Sequence, residues 1–261
     1  MIALVSLTVL KAVKLTPKLV ARFALLPLRK VRNPCLYCPG ICLASCPTFL
    51  DSGNMMLSPL GYSRHLELGK EKCAKCWRCV QECPARHQLP ETYSREKARL
   101  ELRVLREGSP LLVAVEGLDE SYASSLSSRL GAGLAVVKAL DQRYTEGRPL
   151  EGSSARAVVK ALSGREAYSV SPEAAHALGL RFLPTAFTTL GLKVKYEGVV
   201  HIPCLLRSAE PEILNALRAA GAVITGVDRD SCLKAKPRLD ALYLCPRAGK
   251  LGLKSVYDFL Q

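Results

Sequence analysis

Cys73-Ala74-Lys75-Cys76-Trp77-Arg78-Cys79-Val80-Gln81-Glu82-Cys83-Pro84 spaces four cysteines as C-x2-C-x2-C-x3-C and closes on Cys-Pro. Upstream, Cys35-Leu36-Tyr37-Cys38-Pro39-Gly40-Ile41-Cys42-Leu43-Ala44-Ser45-Cys46-Pro47 repeats the arrangement with one extra residue between its second and third cysteines. Eight of the eleven cysteines lie in these two runs, so the runs decide what the first half of the chain is for. Three closely spaced thiolates let one loop wrap a single centre, and a more distant cysteine supplies a fourth ligand. The prolines after Cys46 and Cys83 fix φ and remove a donor, which turns the chain away from that centre. Disulfides would need an oxidising compartment, no secretory signal is evident, and cysteines this close pair only with strain. Zinc is the stronger rival, although structural zinc usually takes two cysteine pairs separated by a longer loop.

The second run resembles the ferredoxin pattern that holds a [4Fe–4S] cluster, and the first resembles it with its one-residue insertion. In two-cluster ferredoxins the last cysteine of each run ligates the other run's cluster. That resemblance implies Cys35, Cys38, Cys42 and Cys83 for cluster I, and Cys73, Cys76, Cys79 and Cys46 for cluster II. Two clusters so close make a short wire for single electrons. Trp77 is read either as a shield of cluster II from water or as plain packing. Lys75 and Arg78 are read either as charges that raise its potential or as ordinary solubilising residues.

At 261 residues, with 49% hydrophobic residues, the chain is long enough for one or two domains with real cores. No stretch reaches the roughly 18 uncharged apolar residues of a membrane span. Free cysteines without a signal peptide point to a reducing, cytoplasmic setting. The net charge of +14 is uneven, since no acidic residue precedes Asp51. Lys11, Lys14, Lys18 and Arg22 share one face of a basic amphipathic segment over residues 1–33, broken near Pro17. That segment either packs on its own protein or docks outside it, on a partner or on the cytoplasmic face of a membrane. Positive charge also suits nucleic acid, but at 6% aromatics a base-stacking platform is not expected.

The spacing predicts a helical domain over residues 34–108. It includes a turn at Ser58-Pro59-Leu60-Gly61-Tyr62, a short helix to Gly69, and a helix from Pro90 to about Glu107 that carries Arg95, Arg99, Arg103 and Arg106 on one face. From residue 109 to 261 an α/β domain with a mostly parallel sheet is expected. Leu111–Val115 reads as a buried strand, Ser121–Leu130 as a helix, Val199–Ile202 as a strand, Pro211–Ala220 as a helix, and Ala222–Thr225 and Leu242–Leu244 as further strands. The fold class is therefore α+β and multidomain. Cys204, Cys232 and Cys245 all follow strands, where ligands of α/β sheets gather. Their convergence on a third cluster or metal is the alternative to burial as small hydrophobes.

Several of these pieces occur in the order found in iron–sulfur subunits of the heterodisulfide reductase and glycolate oxidase type. Cys42-Leu43-Ala44-Ser45-Cys46-Pro47-Thr48-Phe49 precedes Ser58-Pro59-Leu60-Gly61, similar to that family's Ser-Pro-Arg-Gly. His201-Ile202-Pro203-Cys204-Leu205-Leu206-Arg207 resembles its His-Asp-Pro-Cys-His-Leu-Gly-Arg segment. The resemblance is specific over residues 34–108 and looser over 190–250. It implies an electron-transfer subunit of a larger redox complex that relays single electrons through two [4Fe–4S] clusters. Its implied partners are flavin-, haem- or quinone-linked subunits. The family's cysteine-rich second half is degenerate here. Ser231-Cys232-Leu233 stands where a Cys-Cys-Gly triplet is expected, and Cys245-Pro246-Arg247-Ala248 lacks a second cysteine. A non-catalytic subunit is thus the primary expectation. An enzyme with a third metal site at Cys204, Cys232 and Cys245, and a nucleic-acid-binding protein stapled by clusters, are the alternatives.

Overall fold

In a computed structural model the chain divides into two units, Met1–Pro34 and Cys35–Gln261. Residues 33–233 and 237–261 are described. Apart from Asn33, the basic segment expected over residues 1–33 therefore lies outside them. Among the described residues no helix is long and apolar enough to cross a membrane.

Short helices flank the cysteines, and only the last contains one, Cys79: α1 (Pro47–Ser52), α2 (Pro59–Arg64), α3 (Leu66–Lys72) and α4 (Arg78–Gln81). Each of α1 and α2 opens on a proline, whose missing N–H costs nothing at a helix start. Ser58 caps α2, its hydroxyl accepting from the Gly61 N–H at 3.3 Å. Gly61 has no alternative here, because a Cβ would stand 2.3 Å from the Met56 carbonyl oxygen.

The remaining residues build two sheets of a mixed α/β fold, mostly parallel. Strands β1 (Glu101–Arg106), β2 (Leu111–Val115), β3 (Gly133–Lys138), β4 (Ala167–Ser169) and β5 (Arg181–Phe182) assemble in the order β1-β3-β2-β4-β5. Every pair is parallel except β1 with β3. A second, all-parallel sheet runs β7 (Val223–Asp228), β6 (Glu197–His201), β8 (Leu242–Tyr243). Between strands lie α5 (Glu120–Leu130), α6 (Leu140–Thr145), α7 (Gly152–Leu162), α8 (Pro172–Leu178), α9 (Glu210–Ala219) and α10 (Arg247–Lys250).

Strand β2 is buried on both faces, and its alternation separates two cores. Leu112 and Ala114 face a core shared with the second sheet, including Val200, Ile202, Ile213 and Leu242. Leu111, Val113 and Val115 face the other core, made with Leu140, Val158, Leu162 and, from the second cysteine run, Trp77 and Val80. The cysteine-rich region has only a small core of its own, Tyr62, Leu89 and Tyr93, and leans on the sheet through Trp77.

The helix expected from Pro90 to Glu107 is not formed. Pro90 begins a 3₁₀ turn, Leu89–Tyr93, and residues 101–106 pair antiparallel with Lys138–Leu134 as an edge strand. The arginines recur at helical spacing. However, Leu100, Leu102 and Val104 alternate with Arg99, Glu101 and Arg103 at period two, and charged edges suit a strand that must not recruit another chain. The α/β sheet thus reaches back before residue 109, to the Ala98–Leu150 bridge.

Replacing fully buried Leu112 with Ala should cost about 2–5 kcal/mol of unfolding free energy in urea. Leu105→Ala, at a side chain 63% exposed on the edge strand, should change it by less than about 0.5 kcal/mol.

Candidate iron–sulfur and cavity sites

Two loops curl the cysteine runs inward, and both use left-handed backbone. Gly40 lies at φ +88°, and its N–H donates to Cys38 Sγ at 3.4 Å. Lys75 lies at φ +49°, and its N–H donates to Cys73 Sγ at 3.3 Å. Trp77 is also left-handed, at φ +65°, which costs a bulky residue roughly 1–2 kcal/mol. The loop therefore holds a shape its sequence would not choose locally.

A small cavity is lined by Cys46, Cys73, Cys76 and Cys79, closed by Tyr62, Trp77, Leu89 and Tyr93. Cys46 comes from the first run, so the runs interleave. In the other direction, Cys83 of the second run is an electrostatic neighbour of Cys35. Burial pushes the Cys76 and Cys79 thiols well above the usual range. Cys42 is raised to about 11, first by burial and then by Cys35 and Cys38. A thiol so placed ionises only if a compensating positive centre shares the space. The Tyr93 hydroxyl lies against Cys73, and burial pushes its pKa up.

Trp77 and Arg78 are both about 1% exposed. The Trp77 ring packs 5.5 Å from Tyr144, and the Arg143 guanidinium lies 4.6 Å over it, tied by a 2.8 Å ion pair to Glu91. Water is kept from one wall of the thiol cavity by this stack. Arg78 is not a solubilising residue. Its Nε donates to Cys204 Sγ at 3.1 Å, and its two terminal nitrogens donate to the Asp230 and Ser231 carbonyls at 3.1 and 2.6 Å. Lys75 is buried too, with Nζ donating to the Lys70 carbonyl at 2.8 Å.

Cys204, Cys232 and Cys245 do come together. They follow β6, β7 and β8 and line one cavity of about 70 Å³ with Cys76, Glu173, His201 and Arg247. After burial, Cys204 and then Cys232 raise the Cys76 thiol most. His201 is held neutral, its pKa pushed down to about 4 mainly by burial. Glu173 and Arg247 pair at 3.0 Å, and Arg247 also donates to Asp141. Sequence reasoning missed Glu173 and Arg247 as site residues. The parallel between Ser171-Pro172-Glu173 and Cys245-Pro246-Arg247, each just after a short strand, was the available signal. Among the described residues no group of three or more His, Cys, Asp or Glu is set to hold a metal ion.

Comparison with protein-family models, with curated proteins and with solved structures found no match to this chain.

His176, whose Nδ1 meets the Tyr144 hydroxyl at 2.8 Å, is lowered to about 4 by burial and by Arg143. An unfolded histidine takes a proton below about 6.5. Between those values the unfolded state binds more protons, so this contribution to stability is lost as pH falls from about 6.5 to about 4. Urea unfolding of wild type and His176→Gln across that window should show wild type losing stability relative to the variant. A constant difference would place the imidazole in water.

Proposed function

We propose that the chain is an electron-transfer iron–sulfur subunit whose two cysteine runs form a helical dicluster domain. The reading rests mainly on one observation: Cys46 lines the cavity of Cys73, Cys76 and Cys79, while Cys83 neighbours Cys35. That proximity supports an exchange of last ligands like the one in two-cluster ferredoxins. The donor set fits, being all thiol and lying in a largely apolar enclosure with backbone N–H groups aimed at two sulfurs. Ligands of a lone zinc ion converge on one point, whereas thiolates at the corners of a cubane bind four separate irons and stay apart.

Cys73, Cys76, Cys79 and Cys46 would hold one cluster, and Cys35, Cys38, Cys42 and Cys83 the other. Each cluster, when bound, accepts and returns one electron. The protein keeps the two sites adjacent, seals one with Trp77, Tyr62 and Tyr93, and sets buried positive charge beside it through Lys75 and Arg78. Buried cations favour the more negative, reduced form. The partners would be flavin-, haem- or quinone-linked subunits of a redox complex.

Anaerobically purified protein should carry about eight irons and about eight labile sulfides per chain. The interleaving gives a sharper test in double variants. Cys46→Ala added to Cys76→Ala should remove little further iron, because both serve one site. Cys83→Ala added to Cys76→Ala should remove substantially more. Equal losses from the two additions, or zinc in place of iron, would end this reading.

A further inference from the structure

The cavity behind Cys76 has a chemical demand of its own. His201 is 3% exposed and Glu173 is 4% exposed, and both line the cavity. The His201 Nε2 lies 3.2 Å from the Ser231 carbonyl oxygen. A carbonyl only accepts, so Nε2 carries the hydrogen and Nδ1 is left as a bare acceptor. That Nδ1 has no hydrogen-bond partner among the described residues. Glu173 Oε1 accepts from Arg247 Nε at 3.0 Å, while Oε2 has no hydrogen-bond partner among the described residues either. Two buried acceptors thus want hydrogens, and leaving them so is costly.

Among the described residues the nearby donors are committed elsewhere, the Tyr144 hydroxyl to the Glu173 carbonyl and His176 Nδ1. Arg247 is shared between Glu173 and Asp141. Arg78 is spent on Cys204 and two carbonyls, and Lys75 Nζ on the Lys70 and Cys73 carbonyls. An anion would bring more acceptors to face Glu173. A cation would meet Arg247 on the same wall. The remaining surface is thiol and hydrocarbon, from Cys204, Cys232, Cys245, Pro203 and Leu205. At about 70 Å³ the space exceeds the roughly 10–15 Å³ that one water needs.

We propose that this cavity binds a small uncharged molecule bearing hydroxyl or thiol hydrogens, which it donates to His201 Nδ1 and Glu173 Oε2 beside the Cys76 thiol. Protein atoms alone define the site. Cys76 also lines the smaller cavity with Cys46, Cys73 and Cys79, so the bound molecule sits one side chain from the proposed second cluster. An electron leaving that cluster would have this molecule as its nearest small-molecule neighbour.

The probes are 2-mercaptoethanol, ethylene glycol and donor-free dimethyl sulfide, titrated against the anaerobic full-length protein by saturation-transfer NMR. One saturable site per chain is expected for 2-mercaptoethanol, for ethylene glycol, or for both, and which of them binds separates a thiol from a hydroxyl ligand. Dimethyl sulfide should bind at least tenfold more weakly. His201→Phe, which removes Nδ1 and fills space, should weaken the donor probe at least tenfold. Leu233→Trp, which fills the cavity from its rim and leaves both acceptors in place, should do the same. Absence of saturable binding by either donor, dimethyl sulfide binding as well as they do, or donor binding unchanged in both variants would overturn the proposal. The wild-type comparison among probes stands even if a variant does not fold.

Discussion

Sulfur buried beside sulfur is unfavourable to ionise, and this protein crowds its cysteines in that way at the heart of its first hundred residues. Cys76 and Cys79 are pushed strongly toward the thiol form by burial, and further by the thiolates around them. Polypeptide alone gains little from such an arrangement. The helices around it are short, the region's private core is three buried side chains, and the loop between Cys73 and Cys79 holds two non-glycine residues in left-handed conformations. Such strain persists only where surroundings over-determine it. A polynuclear iron centre of the kind proposed, tying four sulfurs together, would supply the missing cohesion and turn the electrostatic penalty into ligation.

The same loop fastens the helices to the sheets. Trp77 enters the core beneath β2, and its neighbour Arg78 reaches the opposite way, to Cys204 and to the Asp228–Ser231 turn. That turn is rigid in its own right, because Asp228 Oδ1 accepts from the backbone N–H groups of Asp230 and Ser231 at 3.1 Å each. One surface of the second cysteine run is therefore shared with the carboxyl ends of β6, β7 and β8. Ligands of α/β sheets collect at strand carboxyl ends. Here those ends converge on Cys76, so the smaller thiol cavity and the sheet cavity have a wall in common.

Much of this could be read from the residues. The apolar run Leu111–Val115 is a strand buried on both faces, and Pro211 and Gly221 bracket α9 closely, because these signals are local. The interleaving of the two cysteine runs was expected from their resemblance to the two-cluster ferredoxin pattern. What escaped was set by partners distant in sequence. Strand β1 exists because β3 offers it a ladder, and its arginines mimic a helical stripe. Glu173 became a site residue only when Arg247, 74 positions away, folded against it. Lys75 and Arg78 look like surface charge in sequence, and only the fold shows them buried and bonded to carbonyls and sulfur.

The central claim is that two four-iron centres lie within a few side chains of each other. Low-temperature EPR during stepwise reduction with dithionite tests it most directly. The account predicts a simple rhombic signal at one electron per chain, giving way to a broadened, split spectrum as the second electron makes the two spins interact. A signal that integrates to one spin at full reduction, or two spins that never broaden one another, would contradict it.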